Sequence, residues 1–304
     1  MTRYTDLNTY LRGKYGVKVY KACIDGGFTC PNRDGTRAVG GCSFCGDRGA
    51  GENINKLLPI DEQVSIACQR SKLKHKAKKF VVYFQGFSGT FDSVENLRRK
   101  YEKALADEEI VALSIATRPD CIDKNVIALL CELRTKHKID IWVEFGLQTT
   151  NDKIADSFNR CYPTKLFYDM VNQLRLSDID VITHVLFGLP GETRDSMLKT
   201  VKDIAKLDIQ GVKFHCLYIM KGTALEETYL NNKYRPLSEE AYIEILVKAI
   251  TLLPRNIVIH RLVSDCRRDM LVAPLWLINK SELRDKINAA LEKFNLHQGD
   301  LYVE

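Results

Sequence analysis

The chain has 304 residues, of which 45% are hydrophobic and 28% charged, with a formal net charge of +6. No apolar run reaches the roughly 18 residues of a membrane span, and the first twenty residues lack an apolar signal core. The ten cysteines are too scattered for a disulfide scaffold. We therefore expect a cytoplasmic protein with no membrane partner and with space for one large α/β domain, alone or with a small extension.

Short apolar runs alternate with amphipathic helical patterns along most of the chain. Strands are predicted at residues 17–20, 80–84, 110–116, 139–147, 181–187 and 211–219. Helical spacing of apolar residues lies between them, over 64–71, 94–105, 126–133, 167–174 and 197–205. Uninterrupted apolar strands between helices are typical of a parallel sheet that is buried on both faces. Six βα units are too few for the usual eight-stranded barrel, so an open barrel or a doubly wound sheet is expected.

The pattern changes after residue 222. Residues 225–235 are expected to be irregular, followed by a helix capped at Ser238, a short strand at 256–260 and a terminal helix over 281–294. We therefore predict a barrel domain over 1–222, with a loop at 23–50, and a small C-terminal α/β extension over 223–304 that packs on this core.

Unusual polar residues and cysteines follow the predicted strands. In either expected fold, ligands bind at the carboxyl ends of the strands. A functional site is therefore predicted at that edge, where the strand ends place Cys30, Gln85, Arg118, Gln148, His184 and His215.

Four cysteines lie close together near the start of the chain: Cys23, Cys30, Cys42 and Cys45. All four could hold one structural zinc ion, or three could bind a [4Fe–4S] cluster and leave its fourth iron open. Six residues separate Cys23 from Cys30, which is unusual for a zinc site, and Cys23 lies near the end of a predicted strand. The spacing therefore favours the cluster, with Cys23 packed in the fold.

Several segments together resemble the radical S-adenosylmethionine (SAM) superfamily, and most closely its YhcC/YtqA-type proteins. They are residues 26–35, 41–45, 143–149, 158–160, 184–193, 213–215 and 221–223. The type is related to the elongator catalytic subunit and to oxygen-independent coproporphyrinogen oxidase. Eleven residues separate Cys30 from Cys42, a long spacing that marks this type. Residues 85–90 replace the usual Gly-Gly-Glu motif, and no acetyltransferase domain follows the core, so acetyl-CoA chemistry is not expected.

The resemblance implies a partial (βα)6 TIM-like barrel and a catalytic mechanism. Cys30, Cys42 and Cys45 would bind a [4Fe–4S] cluster whose open iron chelates SAM. The reduced cluster would cleave SAM into methionine and a 5′-deoxyadenosyl radical that takes a hydrogen atom from substrate.

Further roles follow from the same resemblance. Phe44 would pack against the adenine of SAM, Gln148 would bind the ribose, and Arg160 would pair with the SAM carboxylate. Glu144, His184 and His215 would face SAM or substrate. The alternatives are loop packing for Phe44, an exposed helical position for Arg160, the barrel interior for Glu144 and an ordinary core position for each histidine.

The substrate implied by the elongator relationship is tRNA, modified at the side chain of the wobble uridine. Basic residues at 72–79, 98–100 and 267–268 are candidate phosphate contacts. A flavodoxin or ferredoxin is the expected electron donor. The alternatives are a radical SAM enzyme for a small metabolite and a zinc-stabilised RNA-binding protein without catalysis.

Overall fold

The computed structural model describes residues 2–49, 54 and 58–303. Ala50, where the predicted loop at 23–50 ends, lies outside the described residues, as do Met1 and Glu304 at the outer ends of the two predicted domains. No helix within the described part of the chain has the length and apolar character needed to cross a bilayer.

Strands and helices alternate through most of the chain. The strands are β1 (Val19–Ile24), β2 (Lys79–Phe84), β3 (Ile110–Thr117), β4 (Asp140–Gln148), β5 (Asp180–Phe187), β6 (Gly211–Cys216), β7 (Ile219–Met220), β8 (Val258–Arg261) and β9 (Leu271–Ala273). The helices are α1 (Leu7–Tyr15), α2 (Ile60–His75), α3 (Val94–Ala104), α4 (Lys124–His137), α5 (Asp152–Ser157), α6 (Thr164–Leu176), α7 (Arg194–Ala205), α8 (Ala224–Leu230), α9 (Glu239–Leu252) and α10 (Lys280–Lys293).

The main sheet has seven strands in the order β1-β2-β3-β4-β5-β6-β8, and all neighbouring pairs are parallel. Strand order follows chain order, as in a barrel, rather than reversing at a switch point as in a doubly wound sheet. The predicted partial barrel is therefore confirmed.

The region after residue 222 differs in two ways from the sequence-based expectation. The prediction of an irregular segment at 225–235 is wrong for the first part of that range. Helix α8 forms there, with Thr223 as its N-cap and Leu225 buried. The predicted strand at 256–260 is β8, which pairs with β6 and extends the main sheet. The extension is therefore continuous with the barrel sheet, and the boundary at residue 222 stays a prediction.

Helix α1 closes one end of the partial barrel. Its Leu11 packs in a buried cluster with residues near the amino ends of the strands, namely Val19, Val81, Ala112, Trp142 and Ile182. In the described residues, this end is filled by apolar side chains, and the cavity of the interior opens toward the carboxyl ends of the strands.

Candidate active site

A cavity of about 280 Å³ opens at the carboxyl ends of the strands. Its walls come from the cysteine loop, from the ends of the central strands and from the segment after β8. All eleven residues that the sequence predicts for the site line this one cavity: Cys30, Cys42, Phe44, Cys45, Gln85, Arg118, Glu144, Gln148, Arg160, His184 and His215.

The loop after α5 holds the cysteine loop against the barrel. Asn32, which is fully buried, donates from Nδ2 to the Asn159 carbonyl at 2.5 Å. The Ser43 amide donates to the Phe158 carbonyl at 3.2 Å. The Cys42 sulfur lies 3.7 Å from the carbonyl oxygen of Asn159. Two motifs that lie more than a hundred residues apart in the sequence therefore form one structural unit at the cavity wall.

Cys42 and Cys45 interact, and their hydrogen bond favours the thiolate at Cys45 while it raises the pKa of Cys42. The Cys42 thiol donates a hydrogen bond to Cys45, and this bond and nearby Arg33 lower the pKa of Cys45 although burial opposes the shift. A lowered pKa favours the thiolate, the form that binds iron. Among the described residues, no group of three His, Cys, Asp or Glu is arranged to hold a metal ion. Cys30, Cys42 and Cys45 all line the cavity, and a [4Fe–4S] cluster would need each of them on a different iron atom rather than all three around one ion.

Cys23 lies within β1, beside Tyr83 of β2, and is not part of the cavity lining. Burial raises the pKa of its thiol. These observations agree with a packed cysteine.

Phe44 and Gln148 lie on the cavity wall near the cysteines. The Phe44 ring packs 5.3 Å from the ring of Phe158. The pairing of β4 with β5 shifts between Gly146 and Gln148, and Gln148 has a φ of 64°, in the left-handed region. A Cβ at Gly146 would lie only 2.6 Å from Gln148 Nε2. Only glycine at 146 therefore leaves space for this position of the Gln148 side chain.

Glu144 is fully buried at the centre of a polar layer inside the barrel. Its Oε1 accepts hydrogen bonds from Lys21 at 2.7 Å and Ser114 at 2.6 Å, and its Oε2 accepts from His184 at 2.8 Å and from Lys213. Burial alone would raise the pKa of Glu144, but Lys21 and Lys213 hold it well below its usual range. Glu144 is therefore ionised and binds two lysines at once.

His184 and His215 face the same cavity, with ring centroids 5.2 Å apart. Burial and the charge of Lys213 lower the pKa of His184 to about 4, so its ring is neutral at pH 7. Since ionised Glu144 only accepts hydrogen bonds, His184 Nε2 carries the proton. The Nε2 atom of His215 is buried and has no hydrogen-bond partner among the described residues.

Arg160 has a different role from the one predicted. Its side chain is buried, and its five N–H groups donate to the carbonyls of Leu147, Thr149 and Tyr162, to Asp152 Oδ1 and to Thr164 Oγ1. No N–H is left for a SAM carboxylate. The predicted pairing is therefore corrected: Arg160 joins the end of β4 to the starts of α5 and α6 and shapes the cavity wall.

Three charged residues of the barrel interior were not assigned a role from the sequence: Lys21, Lys213 and Arg261. Each occupies a short strand among apolar neighbours. A charged residue in such a strand needs a buried partner, and this signal was available in the sequence. The sequence does not show which partner each residue meets.

The predicted basic segments lie at different ends of the barrel. Residues 72–79 span the C-terminal end of α2 and the start of β2, which places them at the amino ends of the strands, away from the cavity. Arg98 lies on α3 and pairs with Glu132. Residues 267–268 follow β8 and lie on the same side as the cavity.

The family model "Radical SAM superfamily" matches residues 30–204, and the model "Radical_SAM C-terminal domain" matches residues 209–293. The chain belongs to the radical SAM superfamily, whose enzymes use a [4Fe–4S] cluster and SAM. It is 39% identical over 301 residues to YtqA of Bacillus subtilis (strain 168), covering 99% of this chain and 93% of that protein. It is 34% identical over 270 residues to YhcC of Escherichia coli (strain K12), covering 89% and 86%. It is therefore an enzyme of the YhcC/YtqA type, and the alternative of a non-catalytic zinc protein is discarded.

More distant similarities concern tRNA-related proteins and the fold. A tRNA uridine(34) acetyltransferase of Methanocaldococcus jannaschii is 28% identical over 197 residues, covering 63% of this chain and 34% of that protein. The solved structure of Elp3 from Methanocaldococcus infernus, with an N-terminal deletion, superposes with a TM-score of 0.70 at 18% identity, covering 92% of this chain and 64% of that chain. The latter comparison shows a shared fold.

Proposed function

We propose that this radical SAM enzyme modifies tRNA at the side chain of the wobble uridine. The observation that supports the proposal is the similarity to the tRNA uridine(34) acetyltransferase over 197 residues. The match covers only 34% of that protein, so acetyl transfer is not part of the proposal.

The position of the cavity supports a nucleic-acid substrate. A base that is modified in a buried site must leave its stack and enter a pocket, while its flanking phosphates stay at the surface. Exposed Arg268 follows β8 on the cavity side, and Arg37 of the cysteine loop has 54% of its side chain exposed. We infer that these two arginines contact phosphates at the mouth.

Cys30, Cys42 and Cys45 are proposed as the three thiolate ligands. When bound and reduced, the cluster supplies the electron that cleaves SAM and yields the radical that abstracts hydrogen from substrate. Arg33 supports the ligand loop by donating to the Cys45 carbonyl at 2.9 Å. Phe44 is proposed to pack against the adenine and Gln148 to bind the ribose, since both line the cavity beside the cysteines.

Glu144, His184 and His215 are proposed to define the inner part of the cavity. Glu144 uses both oxygens on neighbouring protein groups, so it positions Lys213 and His184 rather than binding substrate directly. His184 is held as a neutral ring with its proton on Nε2, which leaves Nδ1 as an acceptor. His215 has a free Nε2 atom within the described structure, which is available to SAM or substrate.

A flavodoxin or ferredoxin is proposed as the source of the electron. The test is anaerobic mixing of the reconstituted enzyme with each reduced donor, followed by loss of the visible absorption of the cluster. If neither donor reduces the cluster while dithionite does, this part of the proposal is wrong.

The substrate is tested by mass spectrometry of tRNA nucleosides from a strain that lacks the gene. We expect a wobble-uridine modification to disappear and to return with the wild-type gene but not with Cys42→Ala. An unchanged nucleoside profile would refute the tRNA proposal and favour a small-metabolite substrate.

A further inference from the structure

Four arginines line the cavity, and three of them donate hydrogen bonds to protein acceptors. Arg33 donates to the carbonyls of Cys45 and Gly46, and Arg160 donates all its N–H groups to protein acceptors. Arg118 binds both oxygens of Asp120 at 2.9 Å. Arg261, at the end of β8, has neither a hydrogen bond nor an ion pair with any described residue.

The carboxylates of the cavity do not neutralise Arg261. Two carboxylates line it, Glu144 and Asp265. Glu144 is shared by Lys21 and Lys213, and Asp265 is paired with Lys280. Lys21 and Lys213 share Glu144 but do not line the cavity, so Arg261 is a cavity-lining cation that no carboxylate of the described residues neutralises.

Arg261 lies beside the polar layer in the centre of the barrel. Arg261 pairs in register with Lys213 of β6, and His215 follows Lys213 by two residues on the same strand. Burial and nearby charges, including that of Arg261, hold the pKa of His215 well below its usual value. The neutral His215 ring and the charged guanidinium thus face the same cavity, and the buried Nε2 atom of His215 lacks a partner among the described residues.

We propose that Arg261 binds an oxyanion of the substrate, a carboxylate or a phosphate, inside the cavity, with His215 as a neighbouring hydrogen-bond partner. A planar guanidinium donates two parallel hydrogen bonds to such a group. An unpaired, partly buried arginine in a ligand cavity is otherwise costly to maintain. The inference rests on this cavity being the substrate site of the radical SAM enzyme, and it does not require the substrate to be tRNA.

The test uses the anaerobically reconstituted enzyme with SAM bound and the cluster oxidised, so that the SAM site is filled and no turnover occurs. Inorganic phosphate and acetate are titrated separately at constant ionic strength, and their binding is followed by line broadening in ³¹P and ¹³C NMR. Without tRNA in the sample, the result is independent of the tRNA proposal. Tighter binding of phosphate would indicate a nucleotide or RNA phosphate, and tighter binding of acetate would indicate a carboxylate.

We expect saturable binding of at least one probe by the wild type, weakened about tenfold or more in Arg261→Gln and less in Arg261→Lys. Arg194→Gln is the matched control, because this exposed arginine pairs with Glu244 and does not line the cavity. Circular dichroism and iron content show whether each variant is folded and loaded. Equal binding by wild type and a folded Arg261→Gln variant would overturn the proposal, as would the absence of saturable binding by the wild type. If Arg261→Gln does not fold, wild type is compared with Arg261→Lys instead, and equal binding of the probes by these two proteins would overturn the proposal.

Discussion

Replacing Glu144 with glutamine is expected to destabilise the fold strongly. The carboxylate is fully buried and binds Lys21, Lys213, His184 and Ser114. Glu144→Gln leaves two lysines in the barrel interior without a counter-charge, and breaking a buried ion pair in this way costs about 3–5 kcal/mol. That is a large part of the roughly 5–15 kcal/mol by which a folded protein is stable.

The expected loss depends on pH. Burial, together with Lys21 and Arg261, lowers the pKa of Lys213 to about 7 although Glu144 opposes the shift. In Glu144→Gln this opposition is lost, so the folded variant holds Lys213 neutral while the unfolded chain keeps it protonated up to a pKa near 10.5. The unfolded state then binds more protons than the folded variant, so the stability of the variant rises with pH. Because folded wild-type Lys213 also loses its proton near pH 7, the deficit relative to wild type shrinks as the pH rises towards 7 and is constant above it.

The assay is equilibrium urea unfolding of the cluster-free protein, followed by circular dichroism, so that cluster loss does not contribute. Glu132→Gln is the control, because the solvent-exposed Glu132–Arg98 pair is expected to contribute little to stability. Adding Lys213→Met to Glu144→Gln should recover part of the loss, since the protein no longer has to bury or deprotonate a lysine that lacks its counter-charge. Equal free energies of unfolding for Glu144→Gln and Glu132→Gln would refute this account of the polar layer.

Three further predictions concern pH, the cluster and Arg160. The free energy of unfolding should fall as the pH decreases from about 6.5 towards 4, because burial lowers the pKa values of His184, His215 and His260 and only the unfolded chain binds these protons. Urea titrations across this range measure the effect. Cys42→Ala should abolish cluster binding, measured as iron content and visible absorption. Arg160→Lys should lower the free energy of unfolding by roughly 3 kcal/mol, because several buried acceptors lose their donor. We expect its affinity for SAM, measured by calorimetric titration, to be unchanged.

Each of these predictions has a control and a contradicting result. His184→Asn should weaken the pH dependence, and an unchanged slope would contradict the assigned protonation. Cys161→Ala is the control and should keep the cluster, since Cys161 does not line the cavity. A normal iron content in Cys42→Ala would show that Cys42 is not a ligand. An Arg160→Lys protein of normal stability that does not bind SAM would restore the carboxylate role of Arg160.

The sequence by itself determined the strands, the cysteine loop and the family. These features are local: a buried parallel strand is a short apolar run, and a cluster loop is a set of cysteines at characteristic spacing. The predicted strand at 211–219 shows the limit of this information. It divides into β6 and β7 because β7 pairs with β9, which follows much later in the chain, rather than with the main sheet.

Only the tertiary structure decided which partner each charged side chain meets. Arg160 has all its donors occupied, whereas Arg261 has no partner in the described structure, and nothing in their local sequences distinguishes them. Lys21 binds Glu144 across 123 positions of sequence. The basic segment at 72–79 lies at the amino ends of the strands because α2 runs back along the barrel. Electrostatic interactions depend on distances that the fold creates, and sequence spacing does not contain those distances.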